Sequence, residues 1–439
     1  LEDVTYTYDT WGNLLTVNHD GKLVCEYTYD GLGQLLSMKE YKEPGESAYI
    51  LRTYAYDSLG RCTSIKYLDN GSEDSVLESF TYTYDKNSQI LTCRHTNNLP
   101  AEGKRMDETR SYTYDSYGQL TESIITDHKN SDTQTVTTYT YDKVGNRTAM
   151  SKDGHVTAYT YNGLNQLTEA ETEDAIIKYT YDGRGNQIEE YNETEAITTA
   201  HTYAVTGEMT GLTVTSGDTT TLTQENQYNH EGIRISKTQS GATRRYYYDN
   251  GILAYTKDGA TVSSANVLSG DGDILGSYRG EVYHVYTKDI QNSAESIIKE
   301  DGTLAAAYSY SDFGETEETT ESSFDNEICY TGAVYDAASG LYYMNARYYD
   351  PANGRFISQD TYRGELNDPG QWHLYTYCAN NPINYTDPSG HKKKKLPRSG
   401  EKIWFCFETT KAILRDRIAP YYKGTTAKEG FKQWIIEQF

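Results

Sequence analysis

No apolar run in this chain approaches the roughly 18 residues that a membrane-crossing helix needs, so a helical span is excluded. Cysteine is sparse: six thiols scattered over 439 residues, with no CxxC pair, are not a disulfide scaffold. Cys25, Cys62 and Cys93 fall in or near strand-like stretches and read as buried free thiols. Positive charge is in deficit. A formal net charge of -24 and a pI near 4.8 argue against nucleic acid as a partner of most of this surface. The histidines lack ligand spacing, and no HExxH, Walker or dinucleotide pattern occurs, so no metal and no cofactor is predicted. Apolar residues make up only 36%, with a mean hydropathy of -0.77. Disorder is the first reading of so polar a chain, but disordered chains are poor in aromatics, and this one holds 44 tyrosines.

The tyrosines are organised by a repeated word, Tyr-Asp, with Gly three residues after the Asp. Copies stand at Tyr8-Asp9, Tyr29-Asp30, Tyr56-Asp57, Tyr114-Asp115, Tyr141-Asp142 and Tyr181-Asp182. Two are degenerate: Tyr84-Asp85 has Ser88 in the Gly slot, and Tyr161-Asn162 has Asn165 there. The Asp-to-Asp steps are 21, 27, 28, 30, 27 and 40 residues, the last spanning Asn162. Such self-similarity predicts one long object in which each unit leans on its neighbours. In the first unit, Val4, Tyr6 and Tyr8 alternate with Thr5 and Thr7, a period of two that predicts a strand with its tyrosines on one face. Asp9 to Asn13 reads as a turn, because the Asp side chain accepts from nearby backbone and Gly12 takes a positive φ at no steric cost. Leu14 opens the return strand, and Asp20-Gly21 makes the next turn. Lone hairpins are marginal, so successive ones must share edges in a long, coiling antiparallel ribbon.

The predicted fold class is therefore all-β: an antiparallel hairpin ribbon spiralling into a hollow shell, whole or partial, with a short helical C-terminal segment. Four stretches are expected. Residues 1–225 carry the Tyr-Asp repeats, and 226–328 carry variants such as Tyr228 to Ile235. Residues 329–390 form a denser block, and 391–439 a basic tail. That tail holds 12 Lys+Arg against 5 Asp+Glu, so it is +7 while residues 1–390 carry -31. Its Trp404, Phe405, Phe407, Ala412, Ile413, Leu414 and Ile418 fit an amphipathic helix ended by Pro420, and Phe431, Trp434, Ile435 and Phe439 fit a second. Three readings of the tail stand together: Lys392 to Lys395 binding nucleic acid or anionic membrane, a solvated linker, or a basic segment held against the acidic shell.

The Tyr-Asp units resemble the YD repeats of the rearrangement-hotspot (Rhs) and teneurin superfamily. Gly340-Leu341-Tyr342-Tyr343-Met344-Asn345-Ala346-Arg347-Tyr348-Tyr349-Asp350-Pro351 and Gly354-Arg355-Phe356-Ile357-Ser358-Gln359-Asp360 resemble the Rhs-associated core signature. Asn381-Pro382, followed by Asp387-Pro388-Ser389-Gly390, resembles the motif that ends the core. The resemblance implies a shell that encloses the chain's own variable C-terminal segment in bacterial polymorphic toxins and in the C component of insecticidal toxin complexes. It also implies an aspartyl autoprotease that frees this cargo. Implied partners are that internal cargo, an immunity protein, a delivery apparatus or further shell segments, around a monomer. The implied setting is bacterial, exported or at the cell surface, although the chain opens at Leu1 inside a repeat without a signal peptide. In teneurins a similar shell serves adhesion.

Backbone cleavage needs two acids with divided roles, one ionised to activate water and one protonated to polarise the carbonyl. Asp360 and Asp387 are the candidates, and they align with the family's two catalytic aspartates. Pro388 and Gly390 complete the second motif, and cleavage is expected around Gly390 and His391. Thr361-Tyr362-Arg363-Gly364 stands where the family has Pro-x-Gly after Asp360, with Asp368-Pro369-Gly370 nearby, and His391 replaces the usual Leu. The competing reading of Asp387 is a turn cap before Pro388 and Gly390. Arg355 is expected either to orient a carboxylate through its planar fork or to form a structural ion pair. The alternatives to a self-cleaving shell are a non-catalytic adhesion or structural scaffold and, third, a carbohydrate-binding surface of exposed tyrosines.

Overall fold

The computed structural model describes residues 4–99, 105–249, 251–270, 272–319, 324–364 and 372–396. The expected tail helices and Asp368-Pro369-Gly370 lie outside them. The regular elements of the described chain are almost all strands. Twenty-eight strands, from β1 (Val4–Tyr8) to β28 (Thr316–Glu318), form one antiparallel sheet in which each pairs with its neighbour in sequence. The sheet is open, since no pairing joins β1 to β28. Strand Thr219–Tyr228 crosses the 225/226 boundary without a break.

Each Tyr-Asp turn is built the same way. Asp9 Oδ1 accepts from the backbone N–H of Trp11 and Asn13, both at 2.8 Å, and Gly12 sits at φ 81°. The degenerate slots hold the same left-handed conformation, Ser88 at φ 62° and Asn165 at φ 61°. One feature was not expected: the register slips at the step into the Tyr of the word, as between Thr7 and Tyr8 or Ala55 and Tyr56, so a bulge precedes the turn. The Tyr of the word has a specific task. Its hydroxyl donates to a carbonyl of the preceding hairpin: Tyr56 to Leu35 (2.9 Å), Tyr114 to Ile90 (2.7 Å), Tyr141 to Leu120 (2.7 Å) and Tyr161 to Arg147 (2.8 Å). The tyrosine two residues earlier is buried, as at Tyr82, Tyr112, Tyr139, Tyr159 and Tyr179. On the outer face, threonine hydroxyls pair across strands, Thr83 with Thr92 at 2.6 Å.

The sheet curls until its two ends face each other and touch. Tyr6 Oη donates to the Leu268 carbonyl (3.2 Å), Tyr283 Oη to Glu40 (2.9 Å), Asn97 Nδ2 to Ser296 (2.8 Å), and Tyr139 Oη to Asp312 (2.8 Å). Both walls ascend in chain order together, and one apolar cluster runs through them, from Val17, Ile65 and Phe80 to Val285 and Ile298.

The closing block adds β29 (Val334–Asp336), β30 (Leu341–Met344), β31 (Arg347–Asp350) and β32 (Arg355–Phe356), a small antiparallel sheet. A fully buried ion pair, Arg234 Nη1 to Asp336 Oδ2 at 2.5 Å, ties it to the long sheet, and the guanidinium holds Asp336 down at about 2 against its burial. From β32 onward the block runs along four successive turns of the repeat and donates to the carbonyl in each Gly slot. Tyr375 Oη reaches Gly185 O (2.8 Å), Arg355 Nη2 Asn165 O (2.6 Å), Asn380 Nδ2 Gly145 O (2.7 Å) and Asn381 Nδ2 Gly118 O (2.6 Å). The chain ends its described course in β33 (Tyr385–Thr386) and β34 (Lys394–Lys395).

Candidate functional site

The site forms where three pieces of the closing block meet. The tight turn between β30 and β31 presents Asn345 in the left-handed region (φ 58°), then Ala346 and Arg347. Against it docks the turn that starts at Asp387. Asn345 Nδ2 donates to the Pro388 carbonyl (3.0 Å), and the Ala346 N–H to the Ser389 carbonyl (3.3 Å). Gly390 is at φ 70°, and a Cβ there would stand 2.3 Å from the Met344 carbonyl oxygen, so only glycine fits. The third piece carries Asp360. It follows β32, and the Asp360 N–H donates to the Leu374 carbonyl at 2.9 Å.

Arg347 gathers these parts. Its Nη2 lies 2.9 Å from Asp360 Oδ2 and 3.8 Å from Asp387 Oδ2. Its Nε donates to the Gly390 carbonyl and its Nη1 to the Leu374 carbonyl (3.0 Å). The guanidinium stacks on Phe356, 3.6 Å from the ring centroid. Burial pulls Arg347 down to about 10, with Asp360 and Asp387 opposing that shift, so it remains a cation at neutral pH. Burial raises the Asp387 carboxyl above its ordinary value, while Arg347 and the bonds from Ser389, His391 and Lys392 act to lower it.

Asp387 Oδ1 also accepts from the backbone N–H of His391 (3.1 Å) and Lys392 (3.0 Å), and from Ser389 Oγ (3.2 Å). The turn-cap reading of Asp387 is thus seen at Oδ1, while Oδ2 faces Arg347. His391, half-exposed, sets its Nδ1 2.8 Å from Asp360 Oδ1. The Gly390–His391 peptide is thus held at both ends, its oxygen by Arg347 and its nitrogen by Asp387.

Of the residues expected at the site, Asp360, Asp387, Pro388, Gly390 and His391 come together, and Arg355 does not. The Arg355 guanidinium serves the turn of Asn165 and lies over the rings of Tyr161 and Tyr375. Arg347 takes the orienting position. The sequence signal for it is slight: an arginine two residues after the Asn of a tight turn, which becomes specific only once that turn meets Gly390.

A family model, Teneurin YD-shell, matches residues 46–383. The tRNA3(Ser)-specific nuclease WapA of Bacillus spizizenii is 30% identical over 406 residues, covering 88% of this chain and 16% of that protein. The tRNA nuclease WapA of Bacillus subtilis (strain 168) is 30% identical over 405 residues, with the same coverage. This chain thus spans about a sixth of the length of those relatives. Among solved structures, TcdB2–TccC3 without its hypervariable C-terminal region superposes with a TM-score of 0.67 at 20% identity, over 88% of this chain and 20% of that one. That likeness concerns the fold.

Proposed function

The chain belongs to the teneurin YD-shell family, and from that premise we propose that it is the closing stretch of a bacterial Rhs-type toxin shell that cuts its own backbone between Gly390 and His391. One observation carries the reading: Arg347, which pairs with both carboxylates, also donates to the Gly390 carbonyl. Water, deprotonated by Asp360, attacks the Gly390 carbonyl carbon. Arg347 Nε stabilises the charge that develops on the oxygen. The C–N bond breaks as the nitrogen takes a proton from the acid form of Asp387, whose Oδ1 accepts the His391 N–H at 3.1 Å in the uncut chain. The products are a carboxyl at Gly390 and a free amine at His391. Burial supports this division of labour, because it favours the protonated form of Asp387. The segment that begins at His391 is the cargo or the start of it, kept with the shell after cleavage, and the whole protein is an exported bacterial toxin. No helix among the described residues is long and apolar enough to cross a membrane.

Intact-mass measurement of the purified full chain tests this reading. The expected result is a 49-residue fragment, residues 391–439, that co-elutes with the shell until denaturation. N-terminal sequencing should begin at His391. Asp360→Asn and Asp387→Asn should each slow its appearance by about 100-fold or more. An uncut wild-type chain would instead place this molecule with the scaffolding and adhesive shells.

A further inference from the structure

Away from this site, the contact between the two walls buries an excess of carboxylates. Glu78 lies on the strand Val76–Tyr84 and His95 on Ile90–Asn97, neighbours in the first wall, while Glu295 lies on Ala294–Lys299 in the opposite one. All three are buried, and one donor atom from each lies within 4.8 Å of the other two. Glu108 is nearby but is offset by Arg110 at 2.6 Å. Among the described residues no arginine or lysine pairs directly with the other two acids, although Arg110 also acts on Glu295. Glu78 Oε1 accepts from Asn97 (2.9 Å) and faces His95 Nε2 (2.7 Å), whereas its Oε2 is buried without a partner. The Glu295 carboxylate, 7% exposed, accepts no hydrogen bond from any described residue, and it points at the Glu78–His95 pair. An unpaired carboxylate in such a place costs several kcal/mol unless a proton or a cation joins it.

We propose that Glu78, His95 and Glu295 bind a divalent transition-metal ion that pins the first wall of the shell to the second. One imidazole with two carboxylates is a nitrogen–oxygen donor set suited to Zn2+ or Mn2+, and the imidazole disfavours Ca2+ and Mg2+. Donors about 2.1 Å from a tetrahedral ion stand about 3.4 Å apart, so closure takes side-chain rotations of about an ångström. The surroundings resemble a supporting shell. His95 is stacked on Phe80 with ring centroids 4.3 Å apart, and Asn97 bridges Glu78 to Ser296 of the opposite wall (2.8 Å). Linear spacing hides the set, because Glu78 and His95 are 17 residues apart and Glu295 is 200 residues beyond His95.

The test uses the tag-free full chain, stripped with chelator and titrated with Zn2+ and, separately, Mn2+. Saturable uptake of one ion per chain and a Tm rise on the order of 3 °C at a hundredfold excess over Kd are expected for at least one of them. Glu295→Gln and His95→Gln, one on each wall, should each weaken uptake at least tenfold. X-ray absorption of the loaded wild type reads the ligands without any variant and should show one imidazole among oxygen donors. Failure of the wild type to bind either ion, uptake undiminished in a folded Glu295→Gln chain, or a shell of several imidazoles would overturn the assignment.

Discussion

The Asp and Tyr of each repeat do different work, and the difference is measurable. Asp142 organises its own turn, through bonds of 2.9 Å to the N–H of Val144, the N–H of Asn146 and the Asn146 side chain. Those bonds favour the ionised form and hold Asp142 below its ordinary value despite some burial. Tyr141 instead ties its hairpin to the preceding one through the Leu120 carbonyl. Asp142→Ala should therefore cost about 1–2 kcal/mol, and Asp142→Asn less, because Asn162 already builds the same turn through its Oδ1. Tyr141→Phe should cost about 1 kcal/mol by leaving the Leu120 carbonyl short of a donor. Denaturant unfolding of the three variants checks both values, and an Asp142→Asn loss as large as that of Asp142→Ala would contradict the turn argument.

At the scale of elements, the closing block acts as a clasp, and the proposed cleavage requires its two turns to meet. Gly390→Ala forces a methyl group against the Met344 carbonyl and should undock the turn that begins at Asp387. The expected outcome is a folded shell, unchanged in circular dichroism, that no longer cuts itself. Arg347→Lys tests the other half of the clasp, since one ammonium cannot reach Asp360, Gly390 O and Leu374 O together; cleavage should fall at least tenfold, read by the same mass measurement. These elements also mark how far the sequence could be read. The hairpins and their turns were legible because the signals are local, a period of two and an Asp-to-Gly spacing, whereas Asp360 and Asp387 were singled out by the family resemblance, with Asp-Pro-Ser-Gly intact only at Asp387. Arg347 was not, and Arg355 was expected in its place, because both arginines sit among the same aromatics and only the docking of residues 387–391 onto the turn at Asn345 tells them apart. The bulges at the steps into the Tyr leave the alternation of side chains before them intact, and so leave no mark in the pattern. The row of donors from Tyr375, Arg355, Asn380 and Asn381 to the Gly-slot carbonyls joins residues about 190 to 263 apart, beyond any local signal.

At the scale of the whole molecule, two walls brought together across more than 200 residues bury groups that water would otherwise keep charged, and this sets the pH dependence of stability. Burial raises Glu40, on the strand Leu35–Tyr41, from 4.5 to about 8, although Tyr283 of the facing wall donates to it and Lys288 and Arg52 lie near. The folded chain therefore holds a proton that the unfolded chain releases. The stability that goes with it is fully present below pH 4.5 and is lost as the pH rises through about 8. Burial acts on His201 in the opposite sense, lowering it from 6.5 to about 4. Its contribution is complete above pH 6.5 and is lost as the pH falls through about 4. Between 4.5 and 6.5 these two groups oppose each other, and above 6.5 only Glu40 of the pair still changes. Burial also raises Glu190 to about 7 and Glu295 well above its ordinary range, so stability should fall from about pH 6.5 toward 8.5, with Glu40 contributing at most about 1.4 kcal/mol per pH unit. Thermal unfolding of the full chain across this range reads the curve. Glu40→Gln should flatten the alkaline limb while leaving the acid limb in place, and His201→Gln should do the reverse. An alkaline limb that persists unchanged in Glu40→Gln would show that the contact between the walls does not hold this carboxyl in its protonated form.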